Sequence, residues 1–198
     1  MNIDQSSPQD TTNCEPLVRV DQYVPCLNMY RVAGWPGTVE STWLRQSVLD
    51  RLLEAQRALP PNFGLAVWDA WRSPTTIRAL YQHFYGPGST LPPGFLADPD
   101  GPHVPAHSTG GAVDVTLTLH GEVLELGTQF DEFTDLAAAM AFEDQPGEIR
   151  DRRRLLRATM LQAGFVGFDD EWWHFSFGDQ AWADETGARQ VLYGPCRP

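Results

Sequence analysis

The chain has 198 residues, 42% hydrophobic and 20% charged, which suits a single domain able to bury a core. A formal net charge of −12 argues against nucleic acid and anionic membrane surfaces as partners, because both would repel it. No apolar run is long enough to span a bilayer, and residues 1–13 lack the basic and apolar regions of a secretory signal, so a cytoplasmic location is expected. The three cysteines, at 14, 26 and 196, form no C-x-x-C pair. They are taken as reduced thiols, with a Cys14–Cys26 bridge as the alternative.

In chain order, residues 1–16 are expected to form a loose tail and 17–198 the folded domain. Leu44, Val48, Leu52, Ala55 and Leu59 recur at helical spacing, which predicts a helix over 41–59 capped by Ser41 or Thr42. The apolar run 64–68 predicts a buried strand. Ser73 followed by Pro74 is a strong start signal for a helix reaching about Tyr85. Residues 86–106 are dense in Gly and Pro, and a stretch that long without regular structure is usually functional or disordered.

A strand is expected over 112–119, with Gly121 turning the chain into a second strand over 122–126. Helices are expected over 132–142 and 148–163, the latter ended by Gly164, and strands over 165–168 and 172–177. There is no internal repeat. The order predicts an α+β fold in one domain, with helices packed on a small, mainly antiparallel sheet.

Three segments carry chemistry. His107-Ser108-Thr109-Gly110-Gly111-Ala112-Val113-Asp114 holds two metal-ligand types, and the two glycines allow the tight turn that brings His107 back beside Asp114. Ala112, Asp114 and Thr116 alternate with Val113, Val115 and Leu117, so Asp114 falls on the face opposite the apolar set. Singly, each is an ordinary residue: a loop histidine and a strand carboxylate.

The second segment, Glu171-Trp172-Trp173-His174, makes the pair meaningful. It supplies a third ligand in His174 and, three residues earlier, a carboxylate flanked by indoles, whose exclusion of water would raise its pKa toward that of a general base. In the third, Asp69-Ala70-Trp71-Arg72, the guanidinium is suited to an oxyanion, and Asp69 to orienting Arg72 or a ligand histidine. A surface ion pair is the plainer alternative. His103 is a weak candidate for a substrate contact, and His83 and His120 have no expected role.

The pattern His-x-x-Gly-x-Ala-x-Asp, followed by Glu-x-x-His, resembles the zinc D,D-peptidase superfamily, and most fully its D-alanyl-D-alanine dipeptidases. The resemblance runs from about Asn28 to about Trp182 and includes Gly127-Thr128-Gln129-Phe130-Asp131. It implies one zinc ion held by His107, Asp114 and His174, Glu171 as general base and acid, and Arg72 polarising the carbonyl. It also implies a small dipeptide substrate, with Tyr30 and Asp131 near its ammonium end; for Asp131 the plainer role is a helix cap. Two departures stand out: Pro105 where relatives usually carry Ser, and Trp71-Arg72-Ser73-Pro74 where many read Tyr-Arg-Pro. A carboxypeptidase acting on cell-wall stem peptides, and a zinc-stabilised binding protein without catalysis, are the rival expectations. The oligomeric state is left open.

Overall fold

A computed structural model describes residues 15–198. The fold is α+β, a mainly antiparallel sheet covered by helices. The long strands are β3 (Phe63–Asp69) and β4 (Ala112–Leu119), which follow the short β1 (Leu17–Arg19) and β2 (Trp43–Arg45). The remaining strands are β5 (Glu122–Val123), β6 (Val166–Gly167) and β7 (His174–Ser176). The main sheet runs β3-β4-β7-β6 with β5 paired to β4, and every pairing within it is antiparallel; β1 and β2 form a separate ribbon. No helix among the described residues is long and apolar enough to cross a membrane.

Helices α2 (Gln46–Ala58) and α4 (Glu148–Gln162) supply the core's other half. Val48, Leu49, Leu52, Leu156 and Met160 join Leu65, Val67, Val113, Val115, Leu117 and Phe175 of the sheet in one buried cluster. The opposite sheet face carries Asp114, Thr116, His174 and Ser176 and is also buried, under the chain that forms the site. Helix α3 (Pro74–Phe84) starts as its sequence predicts, with Ser73 Oγ accepting from the Thr76 amide at 3.1 Å. Two shorter helices, α1 (Met29–Val32) and α5 (Gln180–Thr186), complete the set.

A bulge in β3 decides what faces the site. Val67 pairs with Val115, but one residue further on Asp69, not Trp68, stands opposite Asp114. The extra residue turns Asp69 onto the polar face, whereas in unbroken register it would have shared the apolar face with Val113. Asp114 in turn pairs with His174. Three chemically active residues thus lie side by side across three strands.

Several expectations need correction. The helix expected from residue 41 begins at Gln46, because 43–45 pair with β1; Thr42 instead donates to the Asn28 side chain, and the capping falls to Glu15, whose carboxylate accepts from the Ser47 amide in the first turn of α2. Leu44 is buried as foreseen, but on a strand. The strands expected over 122–126, 165–168 and 172–177 shorten to two, two and three residues. The expected tail lies largely outside the described residues, but Glu15 and Pro16 belong to the fold: Glu15 accepts from Tyr193 Oη (2.9 Å) and Ser47 Oγ (3.0 Å). Cys26 and Cys196 are free thiols, and Cys14 falls outside the described residues.

The largest correction is the helix expected over 132–142, of which one 3-10 turn, Asp135–Ala137, exists. Its backbone groups are claimed by distant partners. Arg153 on α4 donates from Nε to Leu126 O (2.7 Å), from Nη1 to Ala138 O (2.9 Å) and from Nη2 to Leu136 O (2.9 Å). The Trp172 amide donates to Ala137 O, and the Ala139 amide to Asp169 O. A buried guanidinium that takes two of the segment's carbonyls, with Leu126 O as its third acceptor, replaces the local ladder, a tertiary override of helix propensity.

Arg153→Met should therefore leave one buried and two part-buried carbonyls without their donor and cost about 3 kcal/mol. For a chain of this size that lowers Tm by roughly 6–12 °C, measurable by thermal unfolding; an unchanged Tm would contradict the assignment.

Candidate active site

The turn Ala106–Thr109 brings His107 over the start of β4. Gly110 follows with φ 73°, where a Cβ would meet the Leu17 side chain at 2.4 Å; a Cβ on Gly111 would stand 2.6 Å from the Phe177 carbonyl. Gly110 is thus required by its left-handed backbone and Gly111 by close backbone approach. The turn sets His107 Nε2 3.4 Å from Asp114 Oδ2 and 3.2 Å from His174 Nδ1, while His174 Nδ1 lies 3.0 Å from Asp114 Oδ1. All three side chains meet at one point.

The proton positions follow from the neighbours. His107 Nδ1 lies 2.6 Å from the Ala70 carbonyl, which only accepts, so Nδ1 bears the proton and Nε2 presents its lone pair to Asp114 and His174. The other nitrogen of His174, Nε2, lies 3.3 Å from Ser176 Oγ, which can accept its proton and leave Nδ1 bare. The result is three acceptor atoms, all within 4.8 Å of one another, facing one point. A cation at that point satisfies all three. The donor set, two imidazole nitrogens and a carboxylate oxygen, is the kind that divalent first-row metals take.

Electrostatics tie the cluster to Arg72. Its Nε donates to Asp69 Oδ2 at 2.9 Å, Nη2 reaches Asp114 Oδ2 at 3.4 Å, and the guanidinium sits 4.5 Å from the centre of the Tyr30 ring. Burial by itself would lower the Arg72 pKa, but Tyr30 and the carboxyls of Asp69, Asp114 and Asp131 hold it above the usual range. Burial pushes the Asp114 carboxyl upward, yet the facing His107 and His174, which donate to it when they carry a second proton, outweigh burial and keep Asp114 well below the usual carboxylate range. Asp69, whose Oδ2 also lies 3.7 Å from His107 Nδ1, is raised by burial despite Arg72.

Glu171 is buried beside this cluster, and burial, with Asp114 and Asp131 adding, pushes its pKa well above the ordinary value. Asp131 is pushed up to about 7, chiefly by burial, with Arg72 and the Tyr30 hydroxyl pulling the other way. Since no helix follows it, Asp131 is not a helix cap; it holds φ 58°, a left-handed conformation uncommon outside glycine. Tyr30, on α1, is buried against Phe130 at 5.2 Å between ring centres.

Tyr30, Arg72, His107, Asp114, Asp131, Glu171 and His174 all line one cavity of about 360 Å³. Asp69 stays behind Arg72 rather than on the wall. The other side is apolar, from Ile77 and Leu80 of α3 and from Phe95, Leu96 and Val104 of the Gly/Pro-rich segment. That segment is pinned, not loose: Arg78 forms two bonds to Asp100 (2.6 and 2.8 Å), and Phe95 packs on Phe133 at 5.2 Å. Sequence reasoning missed the rim supplied by Gln180 and Asp184 of α5, and the Ala70 and Ser176 contacts that orient the histidines. The Asp179 cap of α5 was a readable signal for that helix; nothing in the sequence showed where it would dock.

Known proteins agree with this geometry. A peptidase family model described as D-ala-D-ala dipeptidase matches residues 38–191. A D-alanyl-D-alanine dipeptidase of Synechocystis is 30% identical over 181 residues, covering 74% of this chain and 73% of that protein. One from Enterococcus faecium is 27% identical over 76% of this chain and 77% of its own length. One from Escherichia coli is 42% identical over a shorter stretch, 38% of this chain and 39% of that protein. With a match spanning most of the fold and every cavity-lining polar residue from Arg72 onward, this chain belongs to the D-ala-D-ala dipeptidase family of peptidases.

Proposed function

We propose that this protein hydrolyses D-alanyl-D-alanine to free D-alanine, with one zinc ion held by His107, Asp114 and His174. The observation that carries the reading is the convergence of three bare acceptor atoms on one point beside a buried carboxyl of raised pKa. The zinc chemistry expected there is Lewis-acid chemistry: a polarised carbonyl and an acidified water. The protein's own groups supply the rest.

Glu171 takes a proton from the attacking water at a carboxylate oxygen and returns it to the leaving amine nitrogen. A pKa raised by burial suits both halves of that cycle, since a strongly acidic carboxyl would not give the proton up again near neutrality. Arg72, fixed by Asp69, keeps an Nη group free to donate to the oxyanion that develops at the carbonyl. The substrate ammonium pairs with Asp131, whose ionisation that cation favours. The apolar wall from α3 and Phe95 excludes water, and about 360 Å³ is at the small end of ligand cavities, in keeping with a dipeptide. A non-catalytic binding role leaves the raised Glu171 and the clamped Arg72 without purpose.

Activity on D-Ala-D-Ala should disappear after treatment with a chelator and return with zinc, and His107→Ala or His174→Ala should lose stoichiometric metal by elemental analysis. Retention of full activity without metal would sink the reading. Glu171→Ala should keep metal and fold but lose about 10²–10⁴-fold in kcat, the range of general acid–base catalysis. Metal loss in that variant would make Glu171 a ligand instead. N-acetylation of D-Ala-D-Ala should lower kcat/KM by orders of magnitude, since breaking a buried ion pair from one side costs roughly 3–5 kcal/mol. Asp131→Asn should hurt the free dipeptide far more than the blocked one; equal rates on the two would favour a carboxypeptidase.

A further inference from the structure

The nitrogen donors on the cavity wall are largely committed, and the carboxylates of Asp131 and Glu171 offer an anion no donor. Arg72 is bound to Asp69 and Asp114, and its remaining Nη group is the one assigned to the oxyanion. His107 and His174 are turned to each other, to Asp114, to the Ala70 carbonyl and to Ser176. Gln180 donates to Asp184 at 2.7 Å. His103 differs: it lines the cavity and is exposed to solvent, and among the described residues its ring makes no hydrogen bond. Its neighbours Val104, Pro105 and Ala106 bring no side-chain donor, and Pro105 has no N–H.

A free dipeptide brings two charges into this space. The ammonium has several carboxyls to choose from, but the carboxylate meets Asp114, Asp131, Glu171 and Asp184 on the same wall. Moving a carboxylate out of water without a partner is costly, so the site needs a donor for it. Resting on the dipeptidase reading, we propose that His103 is a specificity-determining residue that receives the substrate's C-terminal carboxylate. An imidazole N–H at the solvent edge of the cavity donates to one carboxylate oxygen, and the bond strengthens when the ring is protonated. The backbone that carries this ring is tied back to α3 three residues earlier, where Asp100 accepts from both terminal nitrogens of Arg78.

The test compares D-Ala-D-Ala with its C-terminal carboxamide on the zinc-loaded wild type, His103→Ala and His103→Gln. His103→Ala should raise KM for the free acid by about tenfold, the scale of one hydrogen bond to a charged group. Its kcat should stay within about twofold, because the lost contact is made equally in ground and transition states. The carboxamide's KM should not respond to the substitution, and His103→Gln, which keeps a neutral donor, should recover part of the loss. The same KM change on both substrates, or none on either, overturns the proposal.

Calorimetric titration with the two ligands separates this from failure of the dipeptidase reading. If the wild type does not cleave D-Ala-D-Ala yet binds it more tightly than the carboxamide, and His103→Ala removes that preference, the activity assignment falls and the carboxylate contact stands. Equal binding of acid and amide by the wild type, or binding of neither, counts against His103.

Discussion

The Asp114 carboxylate is the group around which this molecule is organised. It sits at 2% exposure on the central strand, where burial alone would drive it to pick up a proton. Arg72 keeps it ionised, as do the His107 and His174 imidazoles when they carry a second proton, and each arrives from a different part of the chain. Each is in turn held by a further contact: His107 by the Ala70 carbonyl, His174 by Ser176, Arg72 by Asp69. Truncating Asp114 would therefore release a guanidinium and two imidazoles at once, the situation in which buried polar networks are most costly to disturb.

The surrounding charge explains why neighbouring carboxyls behave so differently. Asp69, Asp131 and Glu171 share this space with Asp114 and one guanidinium, and all three are raised while Asp114 is lowered. Four carboxylates against one arginine leave a formal deficit of three positive charges. A divalent cation and a substrate ammonium would make up that deficit. The acidic crowding that is unfavourable in the bare protein would become a source of affinity for the proposed metal and amine. It also makes the cavity hostile to the other end of a zwitterion, which is why a donor at the mouth matters.

Much of this was legible in the sequence because it rests on local pattern. Alternation along 112–119 put Asp114 on the polar face, Gly110-Gly111 announced the turn, and Ser73-Pro74 gave the start of α3 to the residue. What escaped depends on partners far away in the chain. No periodicity shows that Trp68 is an extra residue in its strand, yet that bulge is what turns Asp69 toward Arg72. Residues 132–142 have respectable helix formers in Leu136, Ala137, Ala138 and Ala139, and lost their helix to a single arginine on α4. Propensity is a weak prior against three charge-assisted hydrogen bonds.

That arginine links the core to the cavity. Phe130 and Asp131 lie between Leu126 and Leu136, whose carbonyls are both tied to Arg153. A continuous helix from residue 132 would have given Asp131 the ordinary work of a cap, its carboxylate spent on backbone amides at the helix start. Because the chain is held open instead, the carboxylate is left to face Arg72 and Tyr30. Its φ of 58° is a strained choice for a non-glycine residue and persists because anchors on both sides determine it. The feature that defeats secondary-structure reasoning is thus the one that frees an acidic side chain for the cavity. A rule broken locally, with its cost carried by a distant buried arginine, is how the proposed binding residue stands out from the backbone.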